Sequence, residues 1–299
     1  MPGRIHCNRM LAFKGAGLPL IVVSSVILVS SSCLVRTRTV APAGKNTVNQ
    51  PLLKASKQDL LRKVEMISQR INSFQMRVDM SPSVGALYGG QVTDYPTITG
   101  VVIFKRPDDI RVIGLDPVVH GTAFDMVSMG NDFRVSIPPK SQFVEGHNDT
   151  PADSANKLEN LRPDAFRTAL IVEPPDPKTE IVILADDTNE TKAVYILHCI
   201  KHEGDEYRMV RNLYFDRHTL ALSRQKTFDA DGYIKGDTKY ADWKDYSGIS
   251  FPSSVDIQRP QDGYELLLKV TDMKMNPADI TAQKFVLEQP ANSQLKVLK

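Results

Sequence analysis

At 299 residues, with 41% apolar and 24% charged side chains, the chain has the make-up of a folded protein, which excludes disorder throughout and a polytopic membrane protein. The 37 basic residues against 35 acidic ones leave a formal charge of +2, far from the basic excess of a dedicated nucleic-acid binder. Cys7, Cys33 and Cys199 are too far apart for a C-x-x-C motif, so a zinc ribbon or a thioredoxin-type centre is excluded.

The chain opens with Arg4, Arg9 and Lys14 and then runs through an apolar stretch from Gly17 to Val29 (GLPLIVVSSVILV). A basic stretch, a short apolar one and then small residues is the layout of a secretory signal. The run is short for a bilayer span, which needs ~20 apolar residues. Ser30, Ser31 and Ser32 then precede Cys33, and small residues before a cysteine resemble the bacterial lipobox, although Ser30 stands where that motif usually has Leu. The expectation is a signal peptide over 1–32 and a lipid on the thiol of Cys33. An uncleaved anchor helix and an ordinary secretory cleavage are the alternatives. Removing residues 1–32 takes away three basic residues and no acidic one, leaving 34 against 35. With Cys33 acylated, Cys199 has no disulfide partner and is expected to be a small buried hydrophobe in an apolar run. Residues 33–55 carry Pro42, Gly44 and Asn46 without periodicity, the composition of a flexible tether.

The first regular element begins at Ser56, where Ser56 and Asp59 make a capping-box variant. Leu60, Val64, Ile67, Ile71 and Phe74 follow at spacings of four and three, the apolar stripe of an amphipathic helix. At Phe74 the period changes to two: Phe74, Met76, Val78 and Met80 alternate with Gln75, Arg77 and Asp79, predicting a half-buried strand. The stretch from Ser81 to Pro96, rich in Gly, Pro and Ser, predicts an interruption. Short strands are then expected over Ile98–Lys105, Asp109–Leu115, Thr122–Ser128 and Phe133–Ile137, with turn residues between them. Residues 139–163 are polar, and Leu158, Leu161 and Phe166 at helical spacing predict a short helical insertion ending near Leu170, before Pro174, Pro175 and Pro177.

A second series of strands is expected over Thr179–Ala185, Ala193–Lys201, Glu206–Phe215, Ala221–Phe228, Ile234–Tyr246, Ser254–Arg259, Glu265–Asn276 and Lys284–Leu287. Asp-Gly pairs at Asp231-Gly232 and Asp262-Gly263 supply hairpin turns. No linker composition divides residues 56–290, which predicts one domain followed by a tail at 291–299. The expected fold is α+β: an incomplete antiparallel β-barrel, a strongly curved sheet, with a few helices packed in its concave side.

The succession of short segments resembles the LolA/LolB lipoprotein-carrier superfamily. An amphipathic helix leads into Ile71 to Phe74 (INSF), and a strand ends at Phe104 to Val112 (FKRPDDIRV). Pro117 precedes a strand, and Met129 to Phe133 (MGNDF) makes a turn. Phe215 to Arg224 (FDRHTLALSR), Gly248 to Pro252 (GISFP), and Met275 and Asn276 with Phe285 complete the order. Each match is short; their order over about residues 56–290 carries the resemblance. It implies an acyl-chain-binding cavity between sheet and helices, and no catalysis or cofactor.

Strand alternation places Phe74, Met76 and Val78 on one face, as it does Val101 with Ile103 and Phe133 with Val135. These seven residues are the expected cavity lining, and Met76, Met80, Met126, Met209, Met273 and Met275 are expected as core filling, with a soft lining for varied apolar guests as the alternative. His198 and His202 stand four apart in a strand pattern with no third ligand, so no metal site is expected. His120, His147 and His218 stand in turns, and Asp229 to Gly232 lacks the ligand run of a calcium loop. The expected function is that of a lipid-anchored bacterial envelope lipoprotein, facing the periplasm from the outer membrane, that binds lipid or lipoprotein acyl chains in transport or outer-membrane maintenance. Its expected partners are the membrane, that ligand and other envelope lipoproteins. A non-catalytic interaction or sensing module on the same fold is the alternative, and a hydrolase with an unrecognised site is a third.

Overall fold

The computed structural model describes residues 51–85, 91–116, 121–151 and 154–298. Every described residue belongs to one compact unit, which lies within Ala41–Lys299. The expected signal peptide, Cys33, most of the tether, Pro117 and His120 lie outside the described residues.

Helix α1 (Lys57–Arg70) begins with the capping box its sequence predicts: the Ser56 hydroxyl accepts from the Asp59 amide while the Asp59 carboxylate accepts from the Ser56 amide. Its other end is tied by side chains from distant segments. Asn276 donates to the Arg70 carbonyl at 2.8 Å and accepts from the Asn72 and Ser73 amides, fixing the passage from helix to sheet. A helix leaves its last carbonyls without intrahelical partners, and here side chains from outside supply them.

Strand β1 (Ser73–Gly85) is longer than the alternation from Phe74 to Met80 suggests. Pro82 is tolerated because β3 (Ile98–Lys105) pairs with β1 only as far as Met80, and the short β2 (Val92–Asp94) takes over from Ser83. The chain continues through β4 (Asp109–Leu115), β5 (Thr122–Met129), β6 (Asp132–Ile137) and β7 (Gln142–His147). β7 falls inside the stretch expected to be a helical insertion; the helical part starts later, with a 3₁₀ turn at Lys157–Asn160 and α2 (Pro163–Leu170). The second series comprises β8 (Glu180–Thr188), β9 (Ala193–Glu203), β10 (Glu206–Asp216), β11 (Leu222–Phe228), β12 (Ile234–Tyr246), β13 (Ile249–Arg259) and β14 (Tyr264–Met275). Within β13, Pro252 lies where only β12 is a neighbour, since pairing with β14 starts at Ser254, which is the edge-like position where a strand tolerates proline.

The strands form one sheet in the order β15-β7-β6-β5-β4-β3-β1-β14-β13-β12-β11-β10-β9-β8, which does not close. β15 (Gln294–Val297) runs parallel to β7, so the sheet is mixed and the expectation of a purely antiparallel one is corrected. The expected strand over Lys284–Leu287 is also corrected: Ala282–Phe285 is a 3₁₀ turn. Phe285 and Leu287 are instead buried against Ile103, Val127 and Phe143, covering part of one face of the sheet.

The other face carries the main core. Leu60 and Val64 of α1 and Phe166, Ala169 and Leu170 of α2 are buried in one cluster with Phe74, Met76, Val78, Val102, Phe104, Val112, Phe215, Phe251 and Leu268. Phe74 is the centre of an aromatic contact set, with Phe104 at 5.3 Å and Phe251 at 5.8 Å between centroids.

Candidate functional site

On the core face an apolar pocket of about 330 Å³ lies between α1, the segment after α2, and strands β10 to β13. Its deep wall is buried: Leu170, Tyr240 and Phe251 are exposed by 4%, 6% and 2%. Met66, 52% exposed, stands at its mouth. The polar atoms of the lining are mostly turned to the protein. The Tyr240 hydroxyl donates to the Ala169 carbonyl at 2.8 Å, and the Trp243 indole N–H donates to the Leu222 carbonyl at 3.1 Å. Both rings therefore present hydrocarbon to the pocket without leaving a polar group unsatisfied. Burial drives the Tyr240 hydroxyl pKa upward, so it remains a neutral donor.

One wall is held by an arginine latch. Arg106, from the turn between β3 and β4, donates to the Ile71 carbonyl at 2.8 Å, to the Ser68 carbonyl at 2.9 Å and to the Ser68 hydroxyl at 2.7 Å. Its guanidinium also meets Glu173 at 2.8 Å, and Ser68 donates to the same carboxylate at 2.8 Å. Arg211 donates to the Glu173 carbonyl at 2.8 Å, tying β10 to the segment after α2. Burial raises the Glu173 carboxyl, but the bonds from Arg106 and Ser68 outweigh it and leave the group below its ordinary value. The latch fixes the C-terminal end of α1 against the segment that follows α2, and Ser68, Ile71 and Ile171 all border the pocket.

The expected lining residues are not brought together here. Phe74, Met76 and Val78 are wholly buried in the core and border none of the larger pockets. Val101 and Ile103 lie on the opposite face, against Phe285 and Leu287, which corrects their placement beside Phe74. The strand is apolar at both parities because both its faces are covered, and Val102 and Phe104 are its residues opposite Met76 and Phe74. Phe133 and Val135 do border a cavity, a separate one of about 310 Å³ beside β5, β6 and β7 that also takes in Met126, Leu158 and Leu161. Of the six methionines expected as filling, Met76, Met80 and Met126 are buried, and none borders the pocket under α1; Met66, overlooked in the sequence, does.

The pocket residues missed in the sequence carry faint signals. Ile71, Phe215, Leu222, Phe251 and Pro252 all fall inside the short segments that carry the family resemblance, and those segments converge on this pocket. Trp243 is the chain's only tryptophan. Among the described residues, His198 bonds Asn212 at 2.8 Å, the His202 ring lies 4.7 Å from that of Tyr207 and His147 meets Asp132 at 2.8 Å, all away from the pocket. The Asp229 carboxylate is occupied by the Asp231 and Tyr233 amides of its own turn. Among the described residues, no helix is long and apolar enough to cross a membrane.

Neither family models nor curated proteins match the chain. Solved structures do. A LolA superfamily protein from Nitrosomonas europaea superposes with a TM-score of 0.51 at 14% identity, over 78% of this chain and 99% of that one. The chain has a LolA/LolB-like fold. A DUF1329 family protein from Desulfovibrio piger gives 0.51 at 14% identity over 76% and 95% of the two chains. An outer membrane lipoprotein-sorting protein domain from Vibrio parahaemolyticus gives 0.50 at 10% identity over 76% and 94%. In this LolA/LolB-like chain the pocket lies where α1 meets strands β10 to β13.

Proposed function

We propose that the protein is a lipid-anchored envelope lipoprotein whose LolA/LolB-like domain, residues 56–290, binds an acyl chain in the pocket between α1 and the sheet. The sheet curls round α1 and α2, and the pocket is the part of its hollow that the two helices leave unfilled. The observation that carries the reading is the pocket's lining: Ile67, Leu222, Tyr240, Trp243 and Phe251 offer hydrocarbon, with the aromatic polar atoms already bonded inside the protein. Each methylene moved there from water gains about 0.8 kcal/mol. Catalysis has no place in this reading. The seven residues expected as lining divide: Phe74, Met76 and Val78 form the wall behind the site, Phe133 and Val135 border the neighbouring cavity, and Val101 and Ile103 support the sheet from its other face. Acylation of Cys33 would hold the domain at a membrane, with the outer membrane as the reading from Leu34, since Asp after the cysteine is the inner-membrane signal in the best-known envelopes.

The test is native mass spectrometry of the protein purified from bacteria, with Trp243 emission as a second readout. A co-purified lipid, displaced by added fatty acid with a shift in Trp243 emission, is the expected result. No bound lipid and no emission change on adding fatty acid would leave the interaction module, for which Ile181 and Ile183 speak: both are about half exposed, at 47% and 50%, on the terminal strand β8.

A further inference from the structure

We infer that the ligand is a single-chain amphiphile with an anionic head, a carboxylate or a phosphate, and that Lys63 selects it. The inference rests on the acyl-chain reading of the pocket and adds the chemistry of the head. Size sets the number of chains. At about 330 Å³ the cavity is near the bottom of the ~300–1,000 Å³ range of small-molecule sites. A cavity at that end of the range suits one alkyl chain better than several.

Charge sets the head. Among the described residues Lys63 is the one cation bordering the pocket, on the same flank of α1 as the exposed Met66. Its natural counter-ion would be Asp59, one helical turn before it. That carboxylate is taken: one oxygen accepts from the Ser56 amide and hydroxyl, and the other meets Arg62. Glu65 accepts from Gln69 instead. Among the described residues Lys63 enters no ion pair or hydrogen bond. A lysine whose stem lies half-buried along an apolar wall keeps its ammonium at the water boundary. An amphiphile that puts its chain against Tyr240 and Phe251 must leave its head at the same boundary. A charge-assisted bond there favours an anion over a neutral or cationic head.

The test uses the full-length protein, Trp243 emission, and four probes of equal chain length below their micelle concentrations: dodecanoate, dodecyl phosphate, dodecanol and dodecyltrimethylammonium. The two anions are expected to bind about fivefold tighter than dodecanol, the scale of one partly exposed ion pair, and the cation more weakly. Lys63→Met should erase that preference while leaving dodecanol affinity within about twofold, and Lys63→Arg should retain it. Dodecanol binding serves as the folding control for both variants. The stronger of the two anions tells a fatty acid from a phosphate-headed lipid. Equal affinity of all four probes for the wild type, or a preference that survives Lys63→Met, would overturn the role of Lys63 and leave the apolar site standing. Binding of none of them would overturn both.

Discussion

Met76→Trp and Ile67→Trp add the same indole on two sides of the core and should do opposite things. Met76 is 1% exposed on β1, with Val102 opposite it on β3 and Met273 on β14, so there is no space for the added ring. Overfilling a packed core costs about 1–3 kcal/mol. At about 2–4 °C per kcal/mol for a domain of this size, the midpoint of thermal unfolding should fall by about 2–12 °C. Ile67 is half-buried on α1 and borders the pocket, so its ring has about 330 Å³ to enter. Trp and Ile have similar helix propensities, and stability should stay within about 0.5 kcal/mol of the wild type. Ile67→Trp should instead abolish binding of a fluorescent fatty-acid probe, which the destabilised Met76→Trp retains below its melting range. Differential scanning calorimetry and a probe titration on both variants decide the matter. If Met76→Trp is neutral and blocks the probe, the cavity extends to β1 and its placement under α1 is wrong. If Ile67→Trp destabilises as much as Met76→Trp, the pocket is not open space.

Three further outcomes are expected. Cys33→Ser should end labelling by a palmitate analogue and release the protein from membranes; unchanged membrane association with no label in the wild type means a transmembrane anchor. Arg106→Ala should cost about 1–3 kcal/mol by urea denaturation, because it leaves the Ser68 and Ile71 carbonyls and Glu173 without their partner. The Glu173 carboxyl is lowered in the folded state, so its share of that stability is present above the ordinary glutamate value of about 4.3 and is lost as pH falls through the lowered one; wild type and variant should draw closer below about pH 4. Cys199 is wholly buried and its thiol is pushed up to about 11, by burial above all, so with Cys7 and Cys33 changed to Ser a thiol reagent at pH 8 should react only at the rate of unfolding, and fast labelling of the native protein would contradict the buried placement.

The elements that the sequence made legible are those with a single period. The stripe of Leu60, Val64 and Ile71 is buried as its spacing predicts, and the alternation of Phe74, Met76, Val78 and Met80 is seen residue for residue. Ile98–Lys105, Asp109–Leu115 and Ile234–Tyr246 have the predicted ends because turn residues bound them. Legibility fails where tertiary pairing overrides local composition. Pro82 and Pro252 look like strand breakers, yet each lies where one side of its strand changes or lacks a neighbour. Lys284–Leu287 looks like a strand, but its apolar residues serve as a cover for the outer face near Ile103. β15 alternates Leu295 and Val297 with Gln294 and Lys296 over only four residues, too few to read as a strand without the register with Gln142 to Glu145. The site was half-visible: the short family-like segments surround it, whereas the alternating faces chosen as lining belong to the core behind it or to the other side of the sheet.

Helix α1 shows why a pocket exists at all. A helix that only closes a core needs one apolar stripe, and Leu60, Val64 and Ile71, with Ser68 beside them, make it. Ile67 packs at the edge of that stripe, with Lys63 and Met66 on the flank beside it, and all three border the pocket. Met66 is apolar at a position where a helix with no further partner would carry a charge, and it remains 52% exposed. The opposite wall has the same excess: Trp243 is only partly buried although Phe251 and Tyr240 beside it are fully so. Two apolar surfaces face each other across a space that no side chain of the described residues fills, while Arg106 and Asn276 hold the C-terminal end of the helix in place. An apolar gap kept open by polar struts costs dispersion energy that closing would recover, and an acyl chain entering the gap recovers it at each methylene.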